Sequence, residues 1–533
     1  MVFNSPYPDI KIPDISVARF LLQRFKTYCS APALIDATTG EQIGFDRLVE
    51  RIQISANAMV SCGVRKGDVV AIMSGNDILY PIAALAVILA GAQVMPVPPL
   101  SSPEEVTRYI QMGNATRLIV ADDLVASISP VAKTAGIKHI TVFRNADGFQ
   151  SFETLGPSNP NSEYPEILAN EDIALLPFSS GTTGVPKGVQ LTHKNLVANL
   201  LQTEQMDLIG PGDVSVAMAP FFHIYGLTFA IGHTLAQGAA LVVIPRFTPD
   251  GFLHALQEYK VSHAPLVPPI IHFLAKDPLV DNYDLSALKV VLTGAAALDP
   301  KISNVCTKRL NVLIRQGYGM TETCSITHID WNDQDRVRAG SIGVLAPNTQ
   351  AKITDIESGH DLDTGDEGEL WVRGPQVMLG YLNNPLANDL TLTDDGWLKT
   401  GDLAKVDAQG TFSIVGRLKE LVKYNGYQVP PAELEEVLLT HDAVHDAAVV
   451  GRANAEVGEV PVAFVVIRGD ATDDVTAADI ESYVARKVAP YKRAREVVFI
   501  DAIPRSPSGK ILRLELIKQL PPIALENSAG ASG

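Results

Sequence analysis

Short runs of β-branched and aliphatic residues alternate with longer helical patterns through most of the chain. Examples are residues 68–73, 117–121, 239–244 and 290–294. Apolar runs without polar alternation predict parallel strands that are buried on both faces of a sheet. Residues 45–61 have the spacing of an amphipathic helix. The sequence therefore predicts an α/β fold in which helices cover parallel sheets.

The character of the chain changes towards its C-terminus. Between about 339 and 415, glycines separate short alternating segments, which predicts a small, mainly antiparallel, β-barrel-like unit. We predict that this unit completes a large N-terminal domain of α/β subdomains, residues 1–416. A hinge at 417–419, a small mobile α+β lid domain at 420–521 and a flexible tail at 522–533 are expected to follow.

Composition excludes several classes of function. The 533 residues include 43 Lys and Arg against 60 Asp and Glu, a net charge of −17, so we expect no nucleic-acid partner. The four cysteines form no C-x-x-C pair, which argues against a disulfide framework or a zinc site.

One uncharged stretch, residues 78–103, is long enough to suggest a membrane span. Prolines at 96, 98 and 99 would stop a helix there, so we predict a buried helix followed by a strand, and no span. We see no signal peptide at the N-terminus and no S-K-L ending, and therefore expect a cytoplasmic protein.

The segment 175–189 carries the strongest functional signal. An apolar run leads into a loop that contains two serines, two threonines, three glycines and Lys187. Glycines let backbone N–H groups approach an anion, hydroxyls add donors, and the lysine adds a positive charge. The loop is predicted to cradle phosphate, although Gly188 after the lysine departs from the Walker A pattern.

With this loop, the sequence resembles the acyl-adenylate-forming superfamily of acyl-CoA ligases, luciferases and nonribosomal-peptide adenylation domains. The resemblance covers nearly the whole chain. Within the superfamily, the sequence is most similar to 4-coumarate–CoA ligases. Eight further blocks stand in the family's order: 220–226, 293–298, 316–323, 368–374, 396–402, 416–421, 424–433 and 504–510.

The resemblance implies an enzyme, an ATP-dependent carboxylic acid–CoA ligase. The acid's carboxylate would attack the α-phosphate of Mg-ATP to give acyl-AMP, and the thiol of coenzyme A would then displace AMP. ATP, Mg²⁺ and coenzyme A are thus the implied cofactors. The implied substrate is a small aryl acid, hydroxycinnamate- or benzoate-like, or a medium-chain acid.

The family's nucleotide-binding residues match positions on several blocks. The phosphate loop corresponds to Ser179, Ser180, Gly181, Thr182, Thr183, Gly184 and Lys187. Thr321 matches a phosphate-contacting threonine, and Glu322 matches the magnesium-associated glutamate. The adenine and α-phosphate wall corresponds to Gln316, Gly317 and Tyr318. Asp402 matches the acceptor of both ribose hydroxyls, and Arg417 matches a second ribose or phosphate contact.

Further roles fall on the C-terminal blocks and two other positions. Lys510 matches the catalytic lysine of the first step, and Lys419 matches the hinge. The face for the second step corresponds to Lys423, Tyr424 and Gly426. His223 matches an aromatic gate near the carboxylate, with a core or loop histidine as the alternative. Arg246 matches a basic position near the coenzyme A phosphates, with an ordinary strand-end arginine as the alternative.

The acid's pocket is implied to consist of Tyr225, Phe229, Leu292, Ala295, Gly317, Gly319, Ser325 and Ile326. None of them is basic, so we expect an apolar or aromatic tail. Phe229 stands where plant enzymes usually carry a small residue, and Ser325 stands where they often carry proline. These departures reshape the pocket and leave benzoates, cinnamate and medium-chain acids open. Asn425 replaces a common coenzyme A-contacting lysine.

Besides the coenzyme A ligase, the sequence leaves two alternative functions open. The first is an adenylating enzyme that loads a carrier protein on another chain. The second, from a different class, is a non-catalytic sensor of a nucleotide or an acyl ligand. The presence of Lys187, Glu322, Asp402 and Lys510 argues against that sensor.

Overall fold

The structure is a computed structural model that describes residues 1–156, 163–179, 186–294, 296, 298–338, 340–425, 427–454, 457–469, 475–506 and 509–520. The chain forms two compact units. Of the described residues, those within 1–400 and 405–413 make the first unit, and those within 401–404 and 414–520 make the second.

The first unit contains a nine-stranded sheet whose centre is parallel. Residues of strand Val69–Met73 are all buried, as the continuous apolar run predicts. Antiparallel pairing begins where Lys187–Thr192 joins the sheet. In spatial order the strands are Phe178–Ser179, Lys187–Thr192, Ile173–Leu175, Gln93–Val97, Val69–Met73, Arg117–Val120, His139–Val142 and Gln150–Ser151, and Gly380–Tyr381 pairs with Lys187–Thr192.

A second nine-stranded sheet carries most of the candidate site. Its middle strands are parallel, and they are buried under helices on a large apolar core. In spatial order the strands are Val344–Leu345, His328–Ile329, Leu313–Tyr318, Val290–Thr293, His263–Leu266, Val214–Ala217, Ala240–Val243, Pro32–Asp36 and Gln42–Gly44.

The glycine-rich segment forms a five-stranded sheet, in agreement with the predicted β unit. Its edge strand, Val2–Asn4, comes from the start of the chain and pairs antiparallel with Gln350–Thr354. Sequence reasoning did not foresee this strand. In spatial order the strands are Val2–Asn4, Gln350–Thr354, Gly368–Arg373, Leu398–Val406 and Phe412–Arg417.

Helices pack on the sheets of the first unit. Phe45–Ser61 has the predicted bounds, and every residue of Leu79–Leu89 is buried, which explains the uncharged stretch as core. None of the helices in the described ranges is both long and apolar enough to cross a membrane. The other α-helices are Val17–Phe25, Pro103–Gly113, Val125–Thr134, His193–Gln205, Thr234–Ala236, Pro249–Glu258, Pro268–Lys276, Pro300–Leu310 and Pro385–Thr391. Tyr225–His233 is a π-helix, and Pro278–Asn282 and Thr321–Thr323 are 3₁₀ turns.

The second unit is an α+β fold with its own apolar core. Its long antiparallel pair, Val444–Asn454 with Gly458–Ile467, forms the centre of a five-stranded sheet. The remaining strands are Val422–Tyr424, Tyr427–Val429 and Glu496–Phe499. Helices Pro431–Leu439, Ala477–Ala485 and Arg513–Lys518 and 3₁₀ turns Leu418–Glu420 and Pro490–Lys492 complete it.

Candidate active site

The candidate site is built on the carboxyl ends of neighbouring parallel strands. Val290–Thr293 and Leu313–Tyr318 pair in parallel in the second sheet. A Cβ atom at Gly294 would lie 3.2 Å from the carbonyl oxygen of Gly317, so the two chains approach closely just past the strands. Ligands of α/β folds bind at such strand ends. The fold thus places Leu292 beside the predicted nucleotide wall of Gln316, Gly317 and Tyr318.

Gln316 is held in place by a buried carboxylate. The backbone N–H of Gln316 donates to Asp330 at 2.9 Å, and its side-chain Nε2 donates to the carbonyl of Ser341 at 2.5 Å. The hydroxyl of Ser341 donates to the other oxygen of Asp330 at 2.7 Å. Burial raises the pKa of Asp330 to about 6, although both hydrogen bonds oppose the rise. Asp330 belongs to no sequence motif, and sequence analysis missed it.

A tyrosine that sequence analysis also missed connects two predicted phosphate-site residues. The hydroxyl of Tyr381 donates to Glu322 Oε1 at 2.9 Å, and Lys187 Nζ lies 4.6 Å from the centre of the Tyr381 ring. Strand Gly380–Tyr381 pairs with the strand that begins at Lys187, which brings the three side chains together. Burial and the adjacent Glu322 carboxylate raise the pKa of Tyr381. Sequence analysis placed Tyr381 only within the β unit.

The loop after the 3₁₀ turn Thr321–Thr323 has an uncommon backbone. Cys324 has φ of 60° and Ser325 has φ of 125°, a conformation that favours glycine. A Cβ atom at Gly319 would lie 1.3 Å from the carbonyl oxygen of Ser325, so only glycine fits at 319. Proline requires φ near −65°, so it would not fit at position 325 with this backbone.

The predicted acid pocket is an aromatic wall that faces aliphatic side chains. Tyr225 and Phe229 stack with their ring centres 5.5 Å apart on the π-helix, and Phe229 stacks on His233 at 5.2 Å. Phe229, Leu292 and Ile326 belong to one buried apolar cluster, against which Tyr225 packs. The structure therefore brings together the four predicted pocket residues on these separate elements.

A hydroxyl ties the π-helix to the loop beside the phosphate site. Thr228 Oγ1 lies 2.6 Å from the carbonyl oxygen of Cys324 and 2.7 Å from that of Ile224. Thr228 was not predicted as a site residue. Its contact joins the helix that carries Phe229 to the segment that carries Thr321 and Glu322.

Several buried polar atoms around the strand ends have no hydrogen-bond partner among the described residues. They include Ser179 Oγ, Thr293 Oγ1 and Tyr225 Oη. Buried polar atoms are normally satisfied, and an unsatisfied group at a cleft is a position where a ligand can supply the missing bond. These three atoms come from the phosphate-loop strand, the strand end and the acid pocket.

His223 and Arg246 lie on segments that follow neighbouring strands. His223 is half-buried, and its Nδ1 accepts a hydrogen bond of 3.3 Å from the backbone N–H of Tyr225. Arg246 is exposed just after strand Ala240–Val243. Of the other predicted residues, Ser180, Gly181, Thr182, Thr183, Gly184, Ala295 and Gly426 lie outside the described residues.

The second unit groups a separate set of predicted residues. Arg417 Nε lies 3.0 Å from Asp402 Oδ1, and Asp402 is buried. Lys510 is half-buried in a turn in which its backbone N–H donates to Ser506 Oγ at 3.2 Å. Burial, reinforced by the nearby positive charge of Arg417, lowers the pKa of Lys510. A lysine with a lowered pKa close to a carboxylate is a common feature of functional sites.

The face predicted for the second step lies on a strand of this unit. The backbone N–H of Lys423 donates to Glu459 at 2.8 Å. The hydroxyl of Tyr424 accepts a hydrogen bond of 3.1 Å from Arg495, whose guanidinium lies 4.8 Å from the centre of the Tyr424 ring. The unit thus presents aromatic and basic groups on one strand. Lys419 lies in the 3₁₀ turn Leu418–Glu420.

Comparison with known proteins identifies the family. The profile described as AMP-binding enzyme matches residues 21–382, and the profile of the AMP-binding enzyme C-terminal domain matches residues 433–510. The chain belongs to the AMP-binding enzyme family. It is 38% identical to 4-coumarate–CoA ligase 5 of Oryza sativa subsp. japonica, over 97% of either chain. It is 39% identical to 4-coumarate–CoA ligase-like 1 of Arabidopsis thaliana, over 96% of either chain.

Solved structures of this family share the fold. ATP-bound MatB from Rhodopseudomonas palustris superposes with a TM-score of 0.86 at 28% identity, covering 95% of this chain and 99% of that one. A benzoate CoA ligase from Burkholderia xenovorans LB400 superposes with a TM-score of 0.82 at 26% identity, covering 94% and 99%. The shared fold agrees with the predicted α/β architecture and its separate C-terminal domain.

The observed groups suit the substrates that the AMP-binding family uses. The chain's similarity to acyl-CoA ligases implies the use of ATP and coenzyme A. Lys187 offers a cation for phosphate oxygens, and the Ser179 hydroxyl, which has no partner among the described residues, offers a donor. Glu322 offers a buried carboxylate whose orientation Tyr381 fixes.

Proposed function

We propose that this chain is an ATP-dependent ligase that converts a small carboxylic acid to an acyl-adenylate and then to an acyl-CoA thioester. The observation that carries the proposal is that one loop contributes both a buried carboxylate and a side chain of the apolar cluster. Glu322, beside Tyr381, and Ile326, in the cluster with Phe229, are only four residues apart. Relatives named CoA ligases along nearly the whole chain support the same activity.

The first half-reaction activates the acid. A carboxylate oxygen forms a bond to the α-phosphorus of ATP, and the bond from that phosphorus to the bridging oxygen breaks, so pyrophosphate leaves. Lys187 and Ser179 hold the β- and γ-phosphates, Thr321 contacts phosphate, and Lys510 meets the charge that gathers at the α-phosphate. Fixed donors at that point lower the barrier because they need no reorganisation during the reaction.

Glu322 is the residue that would hold Mg²⁺. A carboxylate is a suitable hard ligand, and the hydroxyl of Tyr381 hydrogen-bonds to Oε1 of this one. When bound, the ion neutralises phosphate charge. The contribution of this chain is to keep the carboxylate buried and oriented.

The proposed nucleoside contacts are carried over from the family motifs. Gln316, Gly317 and Tyr318 form the wall for the adenine. Asp402 accepts hydrogen bonds from the ribose hydroxyls, and Arg417, which already contacts Asp402, adds a positive charge.

The second half-reaction transfers the acyl group. The sulfur of coenzyme A forms a bond to the acyl carbon, the carbon–oxygen bond to AMP breaks, and the thiol proton passes to solvent or buffer. Lys423, Tyr424 and Arg246 are the groups proposed to meet coenzyme A, with Gly426 on the same segment. We place the hinge at 417–419, between a domain of residues 1–416 and a lid of residues 420–521.

The acid binds between the aromatic wall and the aliphatic cluster. Tyr225, Phe229, Leu292 and Ile326 offer it no charged group, which supports an aryl or medium-chain acid. His223 lies beside this wall, since its Nδ1 accepts a hydrogen bond from the backbone N–H of Tyr225.

Pyrophosphate release across a panel of carboxylic acids, with and without coenzyme A, tests the proposal. We expect release that requires an aryl or medium-chain acid and turns over continuously only with coenzyme A. A single stoichiometric burst in the presence of coenzyme A would point to a carrier protein as the acceptor. No release with any acid would contradict the proposal and favour a ligand sensor.

A further inference from the structure

An apolar cavity lies behind the π-helix, on the side of helices Val17–Phe25, Leu79–Leu89 and His193–Gln205. Its volume is about 50 Å³, and aliphatic side chains supply most of its surface. No sequence motif pointed to it. An apolar cavity stays dry and takes hydrocarbon in preference to water.

Phe229 borders both this rear cavity and the predicted acid pocket. Its side chain belongs to the cluster with Leu292 and Ile326, and it also lines the cavity. Among the described residues, Phe229 is therefore shared by the predicted acid pocket and the lining of the rear cavity.

The helix that carries the wall is uncommon in form. A π-helix of nine residues, Tyr225–His233, is much longer than the single π turns that usually occur, and such turns are frequent at functional sites. On the cavity side, Gly232 presents no side chain, and an added Cβ atom would lie 3.3 Å from Leu200 Cδ2. Phe229, on the same helix, therefore lies beside unfilled space.

The polar groups at the cavity carry no charge. His233 Nδ1 lies 2.9 Å from Thr203 Oγ1, and both residues line the cavity. Burial, together with Arg315, lowers the pKa of His233 to about 3, so the imidazole is neutral near pH 7. The described residues that line the cavity thus place no charged group against a carboxylate or another anion.

We propose that the rear cavity receives the end of the acid's tail, so that the preferred acids are aliphatic and extend a short alkyl end past Phe229. The inference rests on the proposed function and names its substrate class. A cavity of roughly 150 Å³ takes a benzene ring. A space of about 50 Å³ suits a few methylene groups but not a second ring.

The test compares chain-length profiles of the full-length enzyme. The kcat/KM for pyrophosphate release is measured for straight-chain acids of increasing length and for benzoate and cinnamate. We expect an optimum at one aliphatic length, above both aryl acids. A wild-type preference for benzoate or cinnamate would overturn the inference.

Two variants change the cavity in opposite directions. Ala84→Val narrows it from helix Leu79–Leu89, and Leu21→Ala widens it from helix Val17–Phe25. We expect Ala84→Val to shorten the optimum and to lower the kcat/KM of the wild-type optimum, relative to an acid two carbons shorter, about tenfold. Leu21→Ala should move the optimum to longer acids.

Leu22→Ala is the matched control, because Leu22 is buried on the same helix but does not line the cavity. It should keep the wild-type optimum. An unchanged optimum in both cavity variants, with thermal unfolding confirming that they fold, would overturn the inference and leave the proposed function intact. No pyrophosphate release from the wild type with any acid would instead overturn the proposed function, and this inference with it.

Discussion

The hydrogen bond from Tyr381 to Glu322 offers the sharpest single-atom test of the site. Tyr381→Phe removes one hydroxyl and keeps the ring against which Lys187 lies. A hydrogen bond to a charged group contributes about 1.5–3 kcal/mol, and loss of the donor leaves a buried carboxylate less well satisfied. If the whole contribution acts in the adenylation transition state, kcat/KM falls about 10- to 150-fold, since about 1.4 kcal/mol is a factor of ten.

The assay is acid-dependent exchange of pyrophosphate into ATP at saturating acid, with Mg-ATP varied. Tyr28→Phe is the matched control, because its hydroxyl donates to the carbonyl of Ala236 at 3.0 Å, away from the site. Denaturant unfolding of both variants separates a loss of folding from a loss of function. A Tyr381→Phe enzyme with kcat/KM for Mg-ATP within twofold of the wild type would refute the reasoning.

Three further predictions concern other groups of the structure. Lys510→Ala should abolish acid-dependent pyrophosphate exchange and leave ATP binding by calorimetry largely intact; unchanged exchange would remove Lys510 from the first step. Ser325→Gly should raise the free energy of unfolding by about 1 kcal/mol, because φ of 125° favours glycine. A lower free energy of unfolding for this variant, measured by urea denaturation, would contradict this. The pKa of Asp330 is raised in the folded state to about 6, from an ordinary 3.8. Between these two pH values the folded state binds more protons at Asp330 than the unfolded state does, so the contribution of Asp330 to the free energy of unfolding grows as the pH falls. Wild type should therefore gain stability relative to Asp330→Asn between pH 7 and pH 4, and a constant difference across that range would contradict the assignment.

The sequence predicts the elements of the fold well where the local pattern decides the structure. The helix at Phe45–Ser61 has a clear amphipathic period, and the buried strand Val69–Met73 is a continuous apolar run. Strand Val2–Asn4 was missed because its partner lies almost 350 residues away, and a three-residue segment has no period to detect.

The candidate site shows the same limit. Motif residues such as Lys187 and Glu322 are visible because the family repeats them in fixed blocks. Their roles remain predictions, but the structure brings the two together. Tyr381 connects them through a tertiary contact between strands that are far apart in sequence, and Asp330 supports Gln316 in the same way. Such contacts leave no local signal.

The central claim is that the chain activates a carboxylic acid by joining it to AMP. The most direct measurement supplies the preferred acid with ¹⁸O in its carboxylate, together with ATP, Mg²⁺ and coenzyme A, and analyses the products by mass spectrometry. The account predicts one ¹⁸O atom in each AMP formed, because the bond to the acyl carbon breaks in the second step. Unlabelled AMP, or label in inorganic phosphate with ADP as the other product, would contradict it.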